Sequence, residues 1–127
     1  MKKIIQTDQA PAPVGPYSQA TLHNGTLYVS GQIALDPATG NLVTENIEAE
    51  THQVMKNLQA IIQQAGGSFG DVLKCSVFVS DMNNYSRINT VYAQYFDEAT
   101  APARELVEVA NLPKFVNVEI SCIVAIK

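Results

Sequence analysis

The stretch Pro102-Ala103-Arg104-Glu105-Leu106-Val107-Glu108-Val109-Ala110-Asn111-Leu112-Pro113, followed by Val118-Glu119-Ile120, reads as two extended runs joined by a turn. Arg104 opens a strand expected over Arg104 to Val109. Alternation puts Arg104, Leu106 and Glu108 on one of its faces and Glu105, Val107 and Val109 on the other. The last strand is expected over Val116 to Ile126. Val118, Ile120, Cys122, Val124 and Ile126 form its apolar face, with Glu119 and Ser121 opposite. The only other arginine, Arg87, falls within a helical pattern, so Arg104 stands out. Its guanidinium is a planar fork of N–H donors that matches a carboxylate bidentately. A glutamate can take a proton or orient a water when its pKa suits the task. If the two runs pair, Arg104 and Glu119 meet across a small pocket. A structural ion pair closing the end of a sheet fits the same residues.

Working outward from this stretch, Lys3 to Thr7 reads as a short first strand. Asp8 to Pro16, rich in proline and alanine, reads as an ordered loop. Tyr17 follows it, either packed on the domain through its hydroxyl or lining a pocket. Gln19 to His23 and Thr26 to Ile33 read as a hairpin about Asn24-Gly25, the dipeptide that suits a type I′ turn. In the return strand Leu27, Val29, Gly31 and Ile33 share one face and Tyr28, Ser30 and Gln32 the other. Gly31 leaves room for a backbone or ligand to approach. Ser30 has no neighbouring base and no Gly-x-Ser-x-Gly frame, so it does not read as an activated nucleophile.

Asn46 to Ala65 reads as a helix, with Ile47, Thr51, Val54, Leu58, Ile61, Ile62 and Ala65 at helical spacing. Asn46 caps it and Gly66-Gly67 ends it. Glu48 and Glu50 suit the positive end of its dipole, and His52 falls on its polar face. Val72 to Ser80 is a strand with Leu73, Cys75, Val77 and Val79 on one side. A second helix runs from Asp81 or Asn83 to about Asp97. Its stripe of Tyr85, Ile88, Val91, Tyr92, Tyr95 and Phe96 reads as core, and Asn89 sits at the margin of that stripe.

The resulting order is β-β-β-α-β-α-β-β over one domain, residues 1–127. This is an α+β chain whose two helices pack on one face of a mixed sheet. The other face carries Tyr28, Phe78 and Ile123, which implies a closed homo-oligomer. The chain has 127 residues, 46% of them hydrophobic and 16% charged, with a net charge of −4. Its lysines and arginines are scattered, which argues against nucleic acid as the main partner. No apolar run approaches a membrane span, and no signal or transit pattern opens the chain, so the cytosol is expected. Cys75 and Cys122 lie inside apolar runs and read as buried free thiols. No cysteine–histidine cluster has metal-ligand spacing.

Three segments together resemble the RidA (YjgF) family: Val14-Gly15-Pro16-Tyr17-Ser18-Gln19, Ser30-Gly31-Gln32-Ile33, and the run from Pro102-Ala103-Arg104 through Leu112-Pro113 to Val118-Glu119-Ile120. The resemblance covers nearly the whole chain, and the spaced arginine-to-glutamate pattern is its specific part. It implies a chorismate-mutase-like fold, a homotrimer with clefts between subunits, and 2-iminobutanoate/2-iminopropanoate deaminase activity without cofactor or metal. Such an enzyme hydrolyses the enamines and imines released by pyridoxal-phosphate dehydratases to 2-keto acids and ammonia. On this resemblance Arg104 is the carboxylate clamp and Glu119 the acid/base or water-orienting group. Tyr17, Ser30 and Gly31 shape the pocket, with Asn89 close by.

The chain departs from the family pattern after the arginine. Glu105 stands where a small residue is common, and Leu106 where a cysteine is common. Leu106 is expected to give the pocket an apolar wall. Glu105, at a strand end, is placed to swing round and pair with Arg104. Two other functional classes fit the same residues: a non-catalytic trimer that binds small carboxylates such as keto acids, and a chaperone-like or translation-linked interaction protein.

Overall fold

The computed structural model describes residues 1–127. Its strands are β1 (Lys3–Ile5), β2 (Ala20–His23), β3 (Thr26–Gln32), β4 (Val72–Val79), β5 (Ala103–Glu108) and β6 (Val118–Ala125). Helix α1 (Ile47–Gln64) falls between β3 and β4, and α2 (Tyr85–Tyr92) between β4 and β5. The element order is the expected one. All strands lie in one six-stranded mixed sheet of order β1-β2-β3-β6-β4-β5, in which only β4 and β5 run parallel.

Local chemistry explains the most regular parts. Asn24 and Gly25 take φ of 49° and 78°, the left-handed pair that a type I′ turn requires, and His23 pairs with Thr26 across it. Asn46 caps α1 by accepting from Ala49 N at 2.8 Å, and the helix stops where Gly66 turns to φ +89°. The face of α1 built from Ile47, Val54, Leu58, Ile61 and Ile62 is buried against Leu27, Val77, Ile120 and Val124 of the sheet. Glu50 does more than complement the helix dipole. It is fully buried, and its carboxylate accepts from Asn117 N (2.7 Å), Asn117 Nδ2 (2.8 Å) and Val118 N (3.3 Å). It therefore ties α1 to the first residue of β6.

Two strands do not alternate as their sequences suggest. The pairing of β4 with β6 is irregular between Val72 and Lys74, so Val72 is buried and Leu73 is exposed. The pairing of β3 with β6 is irregular between Val29 and Gln32. The extra residue puts Gln32, not Gly31, on the core face with Leu27 and Val29. The second helix is also shorter than its periodicity implies. It ends at Tyr92, and Tyr95 and Phe96 turn onto Phe69 at ring-centroid distances of 5.4 and 5.3 Å. The aromatic spacing continues past the helix because the following tight turn keeps these rings facing the core.

Both helices lie on the face of the sheet that carries Val77, Val79, Ile120 and Val124. The opposite face is uncovered. Tyr28 (51% exposed) and Val107 (41%) stand there beside Phe78 and Ile123. No helix is long and apolar enough to cross a membrane.

Candidate functional site

Arg104 sits on the edge strand β5, in register with Cys75, and so points to the helix face. There α2 receives it. Tyr85, Asn89 and Tyr92 are spaced i, i+4 and i+7, one stripe of a helix. Arg104 Nη1 donates to Asn89 Oδ1 at 2.9 Å, and Nη2 donates to Tyr85 OH at 3.0 Å. The Tyr92 ring centroid lies 4.9 Å from Cζ, within cation–π range. Burial pushes the Tyr92 hydroxyl and the Cys75 thiol up, so both stay neutral beside the guanidinium.

No carboxylate pairs with Arg104. The two ion pairs of the chain are Lys74–Glu105 at 3.1 Å and Arg87–Glu48 at 2.7 Å. Glu105 does not swing to its neighbour. Strand alternation sends it to the opposite face, where Ser76 and Lys74 hold it and keep its carboxyl below the usual range. A cleft of ≈ 630 Å³ opens beside the guanidinium, walled by Asn89, Tyr92, Phe96, Glu98 and Pro102. Leu106 shares the Arg104 face, but it packs against the core and does not line this cleft.

Glu119 lies on the other side of the sheet. It pairs with Phe78 on β4, between the inward-facing Val118 and Ile120. A Cβ on Gly31 would stand 2.9 Å from Glu119 Cδ, so the missing side chain of Gly31 is the space the carboxylate occupies. The bulge in β3 makes this possible by turning Gly31 to the open face. Burial raises the Glu119 carboxyl above the ordinary range, and no cation counters it.

Gly31 and the half-exposed Tyr17 line a pocket of ≈ 170 Å³ together with Val14, Ile33 and Lys114. Buried Gln19 anchors the loop that carries its wall, accepting from Thr7 N (2.7 Å) and donating to Thr7 O (2.9 Å) and Pro11 O (2.9 Å). Asn57 of α1 fixes the chain after β3 by donating to Ile33 O (3.0 Å) and Leu35 O (2.9 Å). The Ser30 hydroxyl is committed to Ser18 O at 2.6 Å, so Ser30 braces the pocket from behind. Tyr17 lines the pocket, and its hydroxyl makes no bond within the chain.

The predicted residues thus fall into two groups, Arg104 with Asn89 on the helix face, and Glu119 against Gly31 on the other, where Gly31 but not Glu119 lines the pocket with Tyr17. Arg104 and Glu119 do not meet across paired strands. β4 lies between β5 and β6, and the two side chains point to opposite faces. His52, on the polar face of α1, is held there by Tyr95, whose OH lies 2.6 Å from its Nδ1. Sequence reading missed Tyr85 and Tyr92 as partners of Arg104. Their spacing about Asn89 was visible, but an aromatic stripe on a helix reads first as core.

The chain matches the model of the family described as "Endoribonuclease L-PSP" over residues 7–126. It is 57% identical over 122 residues to the RutC family protein slr0709 of Synechocystis, covering 95% of this chain and 94% of that protein. It is 46% identical over 123 residues to the 2-iminobutanoate/2-iminopropanoate deaminase of Bos taurus, covering 97% and 89%. Among solved structures, E. coli TdcF with bound serine superposes with a TM-score of 0.92 at 40% identity, over 98% of this chain and 99% of that one. A conserved Rid family protein of Yersinia pestis, YyfA, superposes at 0.96 and 46% identity over 99% and 100%. By its motifs, its family model and its fold, this chain belongs to the RidA (YjgF) family.

Proposed function

We propose that this protein is a cytosolic 2-iminobutanoate/2-iminopropanoate deaminase, whose site forms where the Arg104 half of one copy meets the Glu119 half of another in a homotrimer. One observation carries the reading. Arg104 is a partly buried cation fixed only by neutral groups, with three of its five N–H donors uncommitted. Such a group binds a carboxylate without first breaking an ion pair. The bovine relative named as this deaminase and the serine bound to TdcF support a small α-substituted carboxylate as its ligand.

The chemistry asks little more. With the substrate carboxylate on Arg104, a water adds to the imine carbon. Glu119 takes a proton from that water and returns it to nitrogen, giving a carbinolamine that collapses to the 2-keto acid and ammonia. For the enamine tautomer, Glu119 in its protonated form delivers a proton to C3 first, giving the iminium and leaving the carboxylate that accepts a proton from the water. The endoribonuclease activity in the family description has less support here, because the net charge is −4 and the basic residues are scattered.

The test has two parts. Keto-acid release is followed from imines generated in situ by a threonine dehydratase, with Arg104→Ala and Glu119→Gln as inactive controls. The two variants are then mixed, unfolded and reassembled. If each site takes Arg104 from one copy and Glu119 from the next, random reassembly restores about a quarter of the sites. No recovery would rule out the shared site, and an inactive wild type would rule out the deaminase.

A further inference from the structure

The carboxylate reading leaves open how a long, flexible arginine on an edge strand is held ready. An arginine side chain has many rotamers to lose, and a clamp works best when that loss precedes binding. Three features of α2 bear on this. Asn89 and Tyr85 each accept from a different terminal nitrogen of Arg104, so the plane of the guanidinium is fixed at two points. Tyr92 supplies a neutral aromatic face beneath it. Arg87, on the same helix, is held by Glu48 of α1 through two hydrogen bonds of 2.7 Å, which ties the N-terminal half of α2 to the longer helix. Asn89 and Tyr92 line the cleft, and Tyr85 does not. Tyr85 reaches Arg104 from outside the cavity a ligand would enter.

We infer that Tyr85 is a positioning residue for the Arg104 clamp, acting on a substrate carboxylate only through the guanidinium it holds by its hydroxyl at 3.0 Å. This rests on the carboxylate reading given above. The hydroxyl is the working part, because the ring alone, 5.7 Å from Cζ, persists in a phenylalanine. A phenol also accepts without cancelling the charge, which a carboxylate at the same place would do.

The test is Tyr85→Phe, read by steady-state kinetics on 2-iminobutanoate and by calorimetric binding of its product, 2-oxobutanoate. KM and the 2-oxobutanoate Kd should rise about three- to tenfold, with kcat within about twofold, because a guanidinium freed from Tyr85 must be ordered on binding, a cost shared by the substrate complex and the transition state. In an Arg104→Lys background the same change should add less than about twofold, since an ammonium lacks the fork that bridges Tyr85 and Asn89. Unchanged KM and Kd, with Arg104→Ala still abolishing binding, would overturn the role of Tyr85 and leave the carboxylate site standing. An equal loss in both backgrounds would make Tyr85 a merely structural residue and also overturn it. A wild-type protein that neither turns over imine nor binds 2-oxobutanoate would remove the carboxylate reading and Tyr85's role with it.

Discussion

Gly31→Ala separates the chemistry of this site from its stability more sharply than any other single change. The φ of Gly31 lies outside the left-handed region, so it does not itself demand glycine. The obstacle is Glu119. The added Cβ would meet its Cδ at 2.9 Å, its Cγ at 3.1 Å and its Oε2 at 3.1 Å, against 3.4–4 Å for ordinary contact. The carboxyl must therefore retreat by roughly 0.5 Å or take another rotamer. Its side chain is half-buried and open to solvent at one edge, so it has somewhere to go.

The energetic consequences are small and partly cancel. An off-rotamer glutamate costs about 0.5–1.5 kcal/mol. The lower entropy of an unfolded chain with alanine instead of glycine offsets about 0.4–1 kcal/mol. Net stability should change by less than about 1 kcal/mol, which is roughly 3–5 °C in Tm for a domain of this size. Activity should respond much more. Displacing a reacting group by about 1 Å costs on the order of 10²-fold, so a retreat of roughly 0.5 Å should cost on the order of tenfold, and a change of rotamer more. The assay is keto-acid release from dehydratase-generated 2-iminobutanoate, with Tm measured on the same preparations. If Gly31→Ala keeps its rate within about twofold while Glu119→Gln is inactive, the position of Glu119 over Gly31 is not its working position.

Arg104→Ala should lower kcat/KM by about 10²–10³-fold through loss of the charge-assisted clamp, with Arg104→Lys intermediate, as steady-state kinetics will show. Because burial raises the Glu119 carboxyl, kcat/KM should fall as pH drops, with an inflection above the ordinary glutamate value of 4.5 in the wild-type pH–rate profile. The same shift affects stability. A carboxyl whose pKa is raised on folding adds stability below its unfolded pKa, and that stability is lost as pH rises through the folded value. Glu119→Gln should therefore be more stable than wild type at neutral pH and lose that advantage below about pH 4.5, as thermal melts across pH will report. Glu50→Ala should destabilise by about 3 kcal/mol in denaturant unfolding, because three N–H donors at the start of β6 lose their acceptor.

What was legible in the sequence was what local rules decide. The Asn24-Gly25 turn, the Asn46 cap and the apolar stripe of α1 each depend on neighbours within a few residues, and each stands as read. The unusual placement of Arg104 and Glu119 marked both residues as candidates. What was not legible depends on a partner strand. Alternation along β3 puts Gly31 with Leu27 and Val29. Only the register with β6 shows the extra residue that turns it toward Glu119. Leu73 is misplaced for the same reason. Periodicity also cannot say what a tyrosine does with its hydroxyl. Tyr85 fits the stripe as well as Ile88 does, yet Ile88 is buried core and Tyr85 reaches an arginine.

The separation of Arg104 and Glu119 on two faces has its own physical logic. Had they met across paired strands, as the two runs first suggest, they would have formed an ion pair. The guanidinium would then be occupied, and the nearby cation would pull the carboxyl down. Both consequences work against imine hydrolysis, which wants a free cation for the substrate carboxylate and a carboxyl basic enough to take a proton from water. The sheet prevents this in three ways. It places β4 between the strands that carry the two residues. It turns their side chains to opposite faces. It also commits the carboxylate next to Arg104 in sequence, Glu105, to Lys74 and Ser76 on the opposite face. What remains is a cation without an anion and a raised carboxyl without a cation. In the proposed assembly the two face each other across a substrate whose own carboxylate neutralises the first and whose nitrogen receives the proton of the second.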